Sequence, residues 1–286
     1  MFHLAGVVEH SRKDAAALHA VNVGGTLTVL AAAAAAGVRR VVYASTSGCV
    51  GVSKGPDFVA DDASPYANEL VRTWPYYASK VEAERAALEL AEREGLELVV
   101  MRPTLLLGPG DYRLSSCRSV YDALQRKTPI IPTGGLSFVD VRDAAAAFVR
   151  AMAAGRPGQT YLLGAANMSL LRYFTLIEEL SGVRRPGIRM VPWLNWAVRL
   201  ATRVLQWVLA AFGAWLPSLD PVLVEMSQHF WYVDPVAAKA ELGFEPRPAA
   251  ETMRDTITWM TAYMLKPKWA AEEETVDAQV SARVES

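Results

Sequence analysis

With 286 residues, 52% of them hydrophobic and 21% charged, the chain has a globular composition and the length for one large domain or two small ones. A formal net charge of -1 gives no electrostatic case for nucleic acid or an anionic membrane surface. Cys49 and Cys117 lack CxxC spacing, which argues against a disulfide framework or zinc site and for free thiols in a reducing compartment.

The opening "MFHLAGVVEHSRKD" has no basic leader, and its apolar run is too short for a secretory signal, so the expected location is cytoplasmic. Phe2 to Ala5 reads as the end of a short strand. Asn22 to Ala36 is an alanine-rich helix stopped by Gly37. "RRVVYAS", Arg39 to Ser45, is a β-branched run with the pattern of a buried parallel strand. A loop rich in Gly, Ser, Pro and Asp leads to Pro75. Tyr76 to Glu94 is a helix closed by Gly95, and Leu96 to Pro103 is a second buried strand. "LLLGPGD" reads as a turn, and Phe138 to Met152 runs from a short strand into a helix. This alternation predicts an α/β fold with a parallel sheet covered by helices. After about Leu170 helices dominate. The division expected is a strand-and-helix domain over 1–165, a mostly helical lobe over 166–268, and a polar tail over 269–286.

Trp193 to Leu216 is the one stretch that raises the membrane question. Arg199 and Arg203 interrupt it, leaving too few consecutive apolar residues for a span of about 20. A buried or substrate-lining helix is expected, with an interfacial helix as the alternative; membrane association is not expected.

The chemistry gathers around two places. The strand "RRVVYAS" runs into "TSG", which puts Ser45, Thr46 and Ser47 at its carboxyl end, the side on which open parallel sheets bind ligands. Tyr76 opens the next helix, and Lys80 lies one turn on, on the same face. A phenol has a pKa near 10, and bringing it to about 7 takes roughly 4 kcal/mol of preferential stabilisation of its anion. A nearby ammonium and a helix N-terminus both act in that direction. A tyrosine so tuned can protonate a carbonyl oxygen or take a hydroxyl proton, and a threonine hydroxyl can hold the same oxygen. Tyr-x-x-x-Lys by itself is a weak signal, since two half-solvated residues at helical spacing give the same pattern.

The run "FHLAGV…VNVGGT…RRVVYASTSGCVG…PYYASK…VVMRPTLLLGPGD…FVDVRDAAAAF" resembles the extended short-chain dehydrogenase/reductase family. It is most similar to the NAD-dependent epimerase/dehydratase and dihydroflavonol-reductase-like branch, over roughly Phe2 to Leu163. "FWYVDPVAAKAELGFEPRPAAETMRDTITWM" is more loosely similar to the family's C-terminal segment. The resemblance implies a Rossmann-like, doubly wound sheet with a smaller helical substrate lobe, and NAD or NADP as cofactor. It implies Tyr76 as acid/base, Lys80 as the group that lowers its pKa and binds the nicotinamide ribose, Thr46 as the hydroxyl partner, and Asn22 as support for a proton relay. Ser45 is the alternative to Thr46. Leu4, Ala5, Gly6 and Ala44 would lie along the cofactor, with Pro103 and Leu106 at its nicotinamide end. A homodimer through the helices at 22–36 and 76–94 is common in the family.

The family's phosphate-binding Gly-x-x-Gly-x-x-Gly does not occur, and the similarity begins at the family's fourth strand. Three preceding strands with their helices would need about 60 or more residues. The expectation is that Met1 is an internal start; the other explanation is a chain this short, a remnant that needs a partner to complete its sheet. Gly48, Gly51 and Gly55 have the wrong spacing for a phosphate loop, and Gly108 to Gly110 reads as a turn.

His3, His10, His19 and His229 have no metal-ligand spacing and are read as surface or core residues, so no metal is expected. Cys49 is read as a small packing residue, Trp193, Trp196 and Trp207 as core, and Arg113 and Arg118 as solvated. The reading that results is an NAD(P)-dependent oxidoreductase acting on a secondary alcohol or ketone of a hydrophobic small-molecule substrate. A nucleotide-sugar epimerase or dehydratase with tightly held NAD is the near alternative. A non-catalytic binding remnant is the distant one.

Overall fold

The computed structural model describes residues 1–9, 14–190, 200–201, 204–205, 207 and 221–265. The expected tail at 269–286, His10, Trp193, Trp196 and most of the 193–216 stretch lie outside those residues.

Four short apolar runs pair in parallel: Phe2–His3 (β1), Arg40–Ala44 (β2), Glu97–Pro103 (β3) and Thr160–Leu163, in the order in which they are named. Ala44 stands opposite Met101 and Pro103 opposite Leu163, so the carboxyl ends of the inner strands form one rim. Side chains alternate across such a sheet. Val41, Tyr43, Leu98 and Val100 face one layer, packed on Leu30 and Ala33 of the helix Thr26–Ala35 and on Ala87, Leu90 and Ala91 of the helix Pro75–Glu94. Val42, Val99 and Met101 face the other, against Ala144, Ala147 and Ala151 of Val141–Ala154 and Ala238 and Leu242 of Val236–Leu242. Both faces are covered, which is why the strands read as unbroken apolar runs.

The helix after β1 starts earlier than its sequence suggests. Ala15–His19 (α1) continues through a π-helical turn, Ala20–Gly25, into Thr26–Ala35 (α2). Alanine and leucine favour helix on both sides, and the wide turn falls where Asn22 must reach sideways. This run, Ala15–Ala35, is long and apolar enough to cross a membrane by length and composition, and 28% of its most apolar window is buried. Its buried residues Leu18, Leu30 and Ala33 pack within the protein.

After β2 come a short helix, Asn68–Val71 (α3), and Pro75–Glu94 (α4). Proline at the first position starts α4, and Gly95 ends it with φ of 65°, a conformation that costs glycine nothing.

The second layer of the molecule begins where the sequence suggests only a turn. Leu105–Leu107 (β4) is a strand, pairing in parallel with Phe138–Asp140 of Gly135–Asp140. Three leucines before "GPGD" carry no alternation, so the pairing is dictated by a partner some 33 residues away. In chain order the remaining elements are Arg118–Leu124 (α5), Ile130–Ile131 (β5), Gly135–Asp140 (β6), Val141–Ala154 (α6), Thr160–Leu163 (β7), Ala166–Ser169 (β8), Leu170–Ser181 (α7), Ile188–Arg189 (β9), Pro221–Met226 (α8), Val236–Leu242 (α9) and Ala249–Tyr263 (α10). β8 runs antiparallel to β6. A second core of Leu107, Phe138, Tyr173, Phe174, Met253 and Met260 joins this sheet to α7 and α10. Trp207 is 75% exposed, against the expectation of a core tryptophan.

Candidate active site

β2 delivers three residues to the rim of the sheet, and each is fixed by a different bond. The Ala44 carbonyl accepts a 2.7 Å hydrogen bond from Lys80 Nζ. The Ser45 hydroxyl donates to the Glu84 carboxylate. Thr46 Oγ1 accepts from the backbone N–H of Gly48 at 3.3 Å as the cap of a short helical turn, Ser47–Cys49, which leaves its own O–H to donate elsewhere. Thr46, not Ser45, is therefore the hydroxyl available to a ligand.

α4 supplies the facing groups at four-residue spacing. Lys80 is buried, with Nζ 3.1 Å from Tyr43 Oη and 4.7 Å above the Tyr43 ring. An ammonium has three hydrogens, so one remains for a ligand. Burial pushes its pKa down, opposed by the charges of Cys49 and Glu84. Tyr76 lies in the first turn, its ring edge-on to Tyr77 at 4.9 Å. Burial pushes its phenol up from the ordinary value, with the Cys49 charge adding to the effect. The direction is the reverse of the sequence expectation. Lys80 directs two hydrogens to the Ala44 carbonyl and the Tyr43 hydroxyl, and desolvation of the phenolate is the main cause of the rise.

Asn22 projects from the π-helical turn and is 2% exposed. Its Oδ1 accepts from Val7 N–H at 2.8 Å, and its Nδ2 donates to the Val7 carbonyl and the Ser79 hydroxyl, both at 3.0 Å. Ser79 in turn donates to the Tyr76 carbonyl at 2.7 Å. The amide is thus fully engaged, holding the segment after β1 and the first turn of α4 together. Both of its amide hydrogens are in use within the protein. A methyl group on Gly6 would come within 3.3 Å of Asn22 Oδ1, so this segment lies close against the helix.

Leu4, Ala5, Gly6, Asn22, Ala44, Thr46, Tyr76, Lys80, Pro103 and Leu106 all line one cavity of about 510 Å³. The other wall was not legible in the sequence. It is built of Leu136, Leu170, Leu223, Met226 and Trp231, with Tyr77 and His229 and with Ser115 and Ser116 at one margin. Trp231 stacks at 4.8 Å on Tyr77 and 5.5 Å on Trp74, and its Nε1 donates to the Met226 carbonyl. The "FWYVDP" spacing of aromatics was the available signal. Asp111 accepts bonds from the backbone N–H groups of Ser115, Ser116 and Cys117 at 2.8 to 3.0 Å, which sets the Ser115–Ser116 margin. Burial works against that carboxylate, but these bonds win and hold its pKa below the usual range.

The remaining residues singled out lie elsewhere. Cys49 is fully buried with its thiol 3.5 Å from Ser45 Oγ. Arg118 pairs with Asp122 at 3.1 Å, and Arg113 is exposed. His3 is buried, stacks on Tyr43 at 5.3 Å and bonds Thr26, while His19 meets Glu82 at the surface. Among the described residues no cluster of three His, Cys, Asp or Glu side chains has the geometry to hold a metal.

A nicotinamide fits what is present. Small residues at the ends of β1 and β2, the buried cation Lys80 with a hydrogen to spare, and Pro103 at the end of β3 converge on one cavity at the carboxyl rim. The described residues offer no glycine-rich turn for the pyrophosphate.

Residues 1–164 match the family model for the NAD dependent epimerase/dehydratase family. A Synechocystis sp. protein provisionally named dihydroflavonol 4-reductase is 32% identical over 266 residues, an alignment covering 91% of this chain and 75% of that protein. Human 3 beta-hydroxysteroid dehydrogenase type 7 is 30% identical over 286 residues, covering 92% and 76%. The chain therefore spans about three quarters of these relatives' length. The crystal structure of gox2253 superposes with a TM-score of 0.76 at 27% identity, covering 92% of this chain and 78% of that one. Solved structures of the same fold carry NAD or NADPH. Family match, relatives and fold agree: the chain belongs to the NAD-dependent epimerase/dehydratase family and is an NAD(P)-dependent oxidoreductase.

Proposed function

We propose that the chain interconverts a secondary alcohol and a ketone on an apolar, ring-bearing small molecule, with Tyr76 as the acid/base. The observation that carries this reading is the division of the cavity. Thr46, Tyr76 and Lys80 supply polar groups from the end of β2 and from α4, and leucines, Met226 and Trp231 from other elements supply an apolar lining. Clefts of this size with few polar groups in an apolar lining suit ligands of drug-like dimensions.

Bound nicotinamide supplies the hydride donor or acceptor, and Lys80, Ala44, Pro103 and the Leu4–Gly6 segment would hold it. Thr46 donates a hydrogen bond to the substrate oxygen and fixes it beside Tyr76. In reduction the Tyr76 phenol gives its proton to that oxygen; in oxidation the phenolate takes the hydroxyl proton back. Burial holds Tyr76 as the neutral phenol, which is the form reduction requires. Lys80 contributes a fixed positive charge as the phenolate develops.

The near alternative, a nucleotide-sugar substrate, needs cations for a diphosphate. Among the described lining residues Lys80 is the sole lysine or arginine, and two of its three hydrogens go to Ala44 and Tyr43. The names of two relatives, a hydroxysteroid dehydrogenase and a dihydroflavonol reductase, refer to ring-bearing alcohols and ketones, in accord with the apolar wall. The reading also includes a homodimer through the helical run Ala15–Ala35 and α4, for which the mass in solution by light scattering is the check; a monomer at all concentrations would remove it.

The test is consumption of NADH and NADPH with a 3-ketosteroid and a dihydroflavonol, run beside conversion of UDP-glucose to its C4 epimer or 4-keto product in the presence of NAD, followed by chromatography, for the wild type and Tyr76→Phe. The reading expects turnover with a ring-bearing ketone that disappears in the variant. Turnover of the nucleotide sugar alone would replace it with the epimerase reading.

A further inference from the structure

A charged pair lies under the site, and the chemistry described so far does not use it. Glu84 is on α4 one turn beyond Lys80, in the series Tyr76, Lys80, Glu84, and its side chain has no exposed surface. Arg102, the next-to-last residue of β3 and also buried, meets it through Nε at 3.1 Å and Nη2 at 2.5 Å. Tyr66 donates to Oε1 at 2.8 Å from the long loop after β2, and Ser45 donates to Oε2. One carboxylate thus joins β3, that loop, the end of β2 and the catalytic helix.

Burying a carboxylate and a guanidinium costs several kcal/mol per ion, and for stability alone a well-packed apolar pair of similar volume serves as well. The geometry supplies a reason for the expense. Consecutive strand-end residues are tied to consecutive turns of α4: Ala44 takes Lys80, and Ser45 gives to Glu84. Thr46 is the next residue along. The two ties together fix the rotation and height of α4 against the rim, and with them the placement of Tyr76 relative to Thr46.

We propose that Glu84 is a positioning residue for the proton-transfer pair, acting through Ser45 and through its charge beside Lys80, and that Ser45 serves this tie rather than the substrate. The inference rests on the reading of Tyr76 and Lys80 as acid/base and partner. The groups facing Lys80 are Tyr43 from β2, Cys49 from the turn after it, Glu84 from its own helix and His3 from β1, with Tyr76 one turn earlier on that helix. Of these, Glu84 is the one carboxylate. Losing its charge leaves Arg102 uncompensated nearby and disfavours the Lys80 ammonium.

The test compares Glu84→Gln, Ser45→Ala and Tyr76→Phe with the wild type. One readout needs neither cofactor nor substrate: the titration of Lys80, followed by NMR of ¹³Cε-labelled lysine and identified by its loss in Lys80→Met. Glu84→Gln should move the Lys80 midpoint about one pH unit lower. It should also lower kcat about 10- to 100-fold, with NADPH affinity within about twofold of the wild type. Where Glu84→Gln does not fold, Ser45→Ala decides, because Glu84 then keeps Arg102 and Tyr66. Its kcat should fall about tenfold and its Lys80 midpoint should move the same way by less. A purely structural pair would lower the melting temperature and leave both readouts in place. A folded Ser45→Ala with wild-type kcat and Lys80 titration, beside an inactive Tyr76→Phe, overturns the inference. An active Tyr76→Phe instead overturns the acid/base reading on which it rests.

Discussion

The two walls of the cavity are made in different ways. On the reaction side three polar groups are pinned by hydrogen bonds within the protein: Lys80 to the Ala44 carbonyl, Asn22 to both polar atoms of Val7, and Ser45 to Glu84. These groups sit on the end of β2, on α4 and on the π-helical turn of the Ala15–Ala35 run. On the substrate side the wall comes from β6, from the margin after "GPGD", and from the segment 223–231. That segment is held by backbone bonds, a reciprocal pair between Phe230 and Ser53 and others joining Ser227, His229 and Trp231 to Gly134 and Gly135, and it presents chiefly apolar and aromatic surface. The contrast teaches where tolerance lies. Proton transfer fails with small displacements, whereas an apolar wall selects by shape and accepts substitution at modest cost.

The largest effect that the comparison predicts is on the reaction side. Tyr76→Phe should lower turnover about a thousandfold while leaving the melting temperature within a few degrees, checked by steady-state kinetics and calorimetry. A small loss would mean that the pinned wall does not carry the chemistry. Asn22→Ala comes next, since it removes the partner of both backbone polar atoms of Val7 and of the buried Ser79 hydroxyl. It should cost about 2–3 kcal/mol in urea unfolding and lower kcat more than it raises KM.

This division also explains what the sequence disclosed. Tyr76, Lys80 and Thr46 were legible because local rules place them: four-residue spacing on one helix, and a hydroxyl just past a buried strand. The ten residues chosen from strand ends and resemblance do line one cavity, because the strands' parallel pairing forces their carboxyl ends together. The Glu84–Arg102–Ser45–Tyr66 cluster was not, since the partners lie 18 to 39 residues from Glu84. Its signal was Arg102 itself, a charge inside an apolar strand that demands a buried acid. β4 was missed because three leucines carry no period of their own and their pairing is nonlocal. The phenol's upward pKa shift was missed because sequence supplies a neighbouring lysine but not the burial that causes the rise.

The substrate wall should yield smaller changes. Gly48→Ala would drive a methyl to 2.1 Å from Tyr77 Cε1 and 3.2 Å from Trp231, so Tyr77 must shift. Expected are a loss of about 1–3 kcal/mol in stability and a rise in KM for a ring-bearing ketone, with kcat nearly kept. Asp111 sets the least effect at neutral pH. Its folded pKa is depressed, so its contribution is present above the unfolded carboxylate range and is lost as pH falls through the folded value. Asp111→Asn should therefore flatten the acid limb of stability in denaturation series below about pH 4.

The most direct measurement is the pH profile of kcat/KM for ketone reduction, wild type against Tyr76→Phe. The acid must stay protonated to act, and burial raises its pKa, so wild-type activity should hold a plateau through neutral pH and decline on the alkaline side, with Tyr76→Phe low throughout. A wild-type profile falling on the acid side of neutrality, or a variant that follows the wild type, would contradict the assignment of Tyr76 as proton donor.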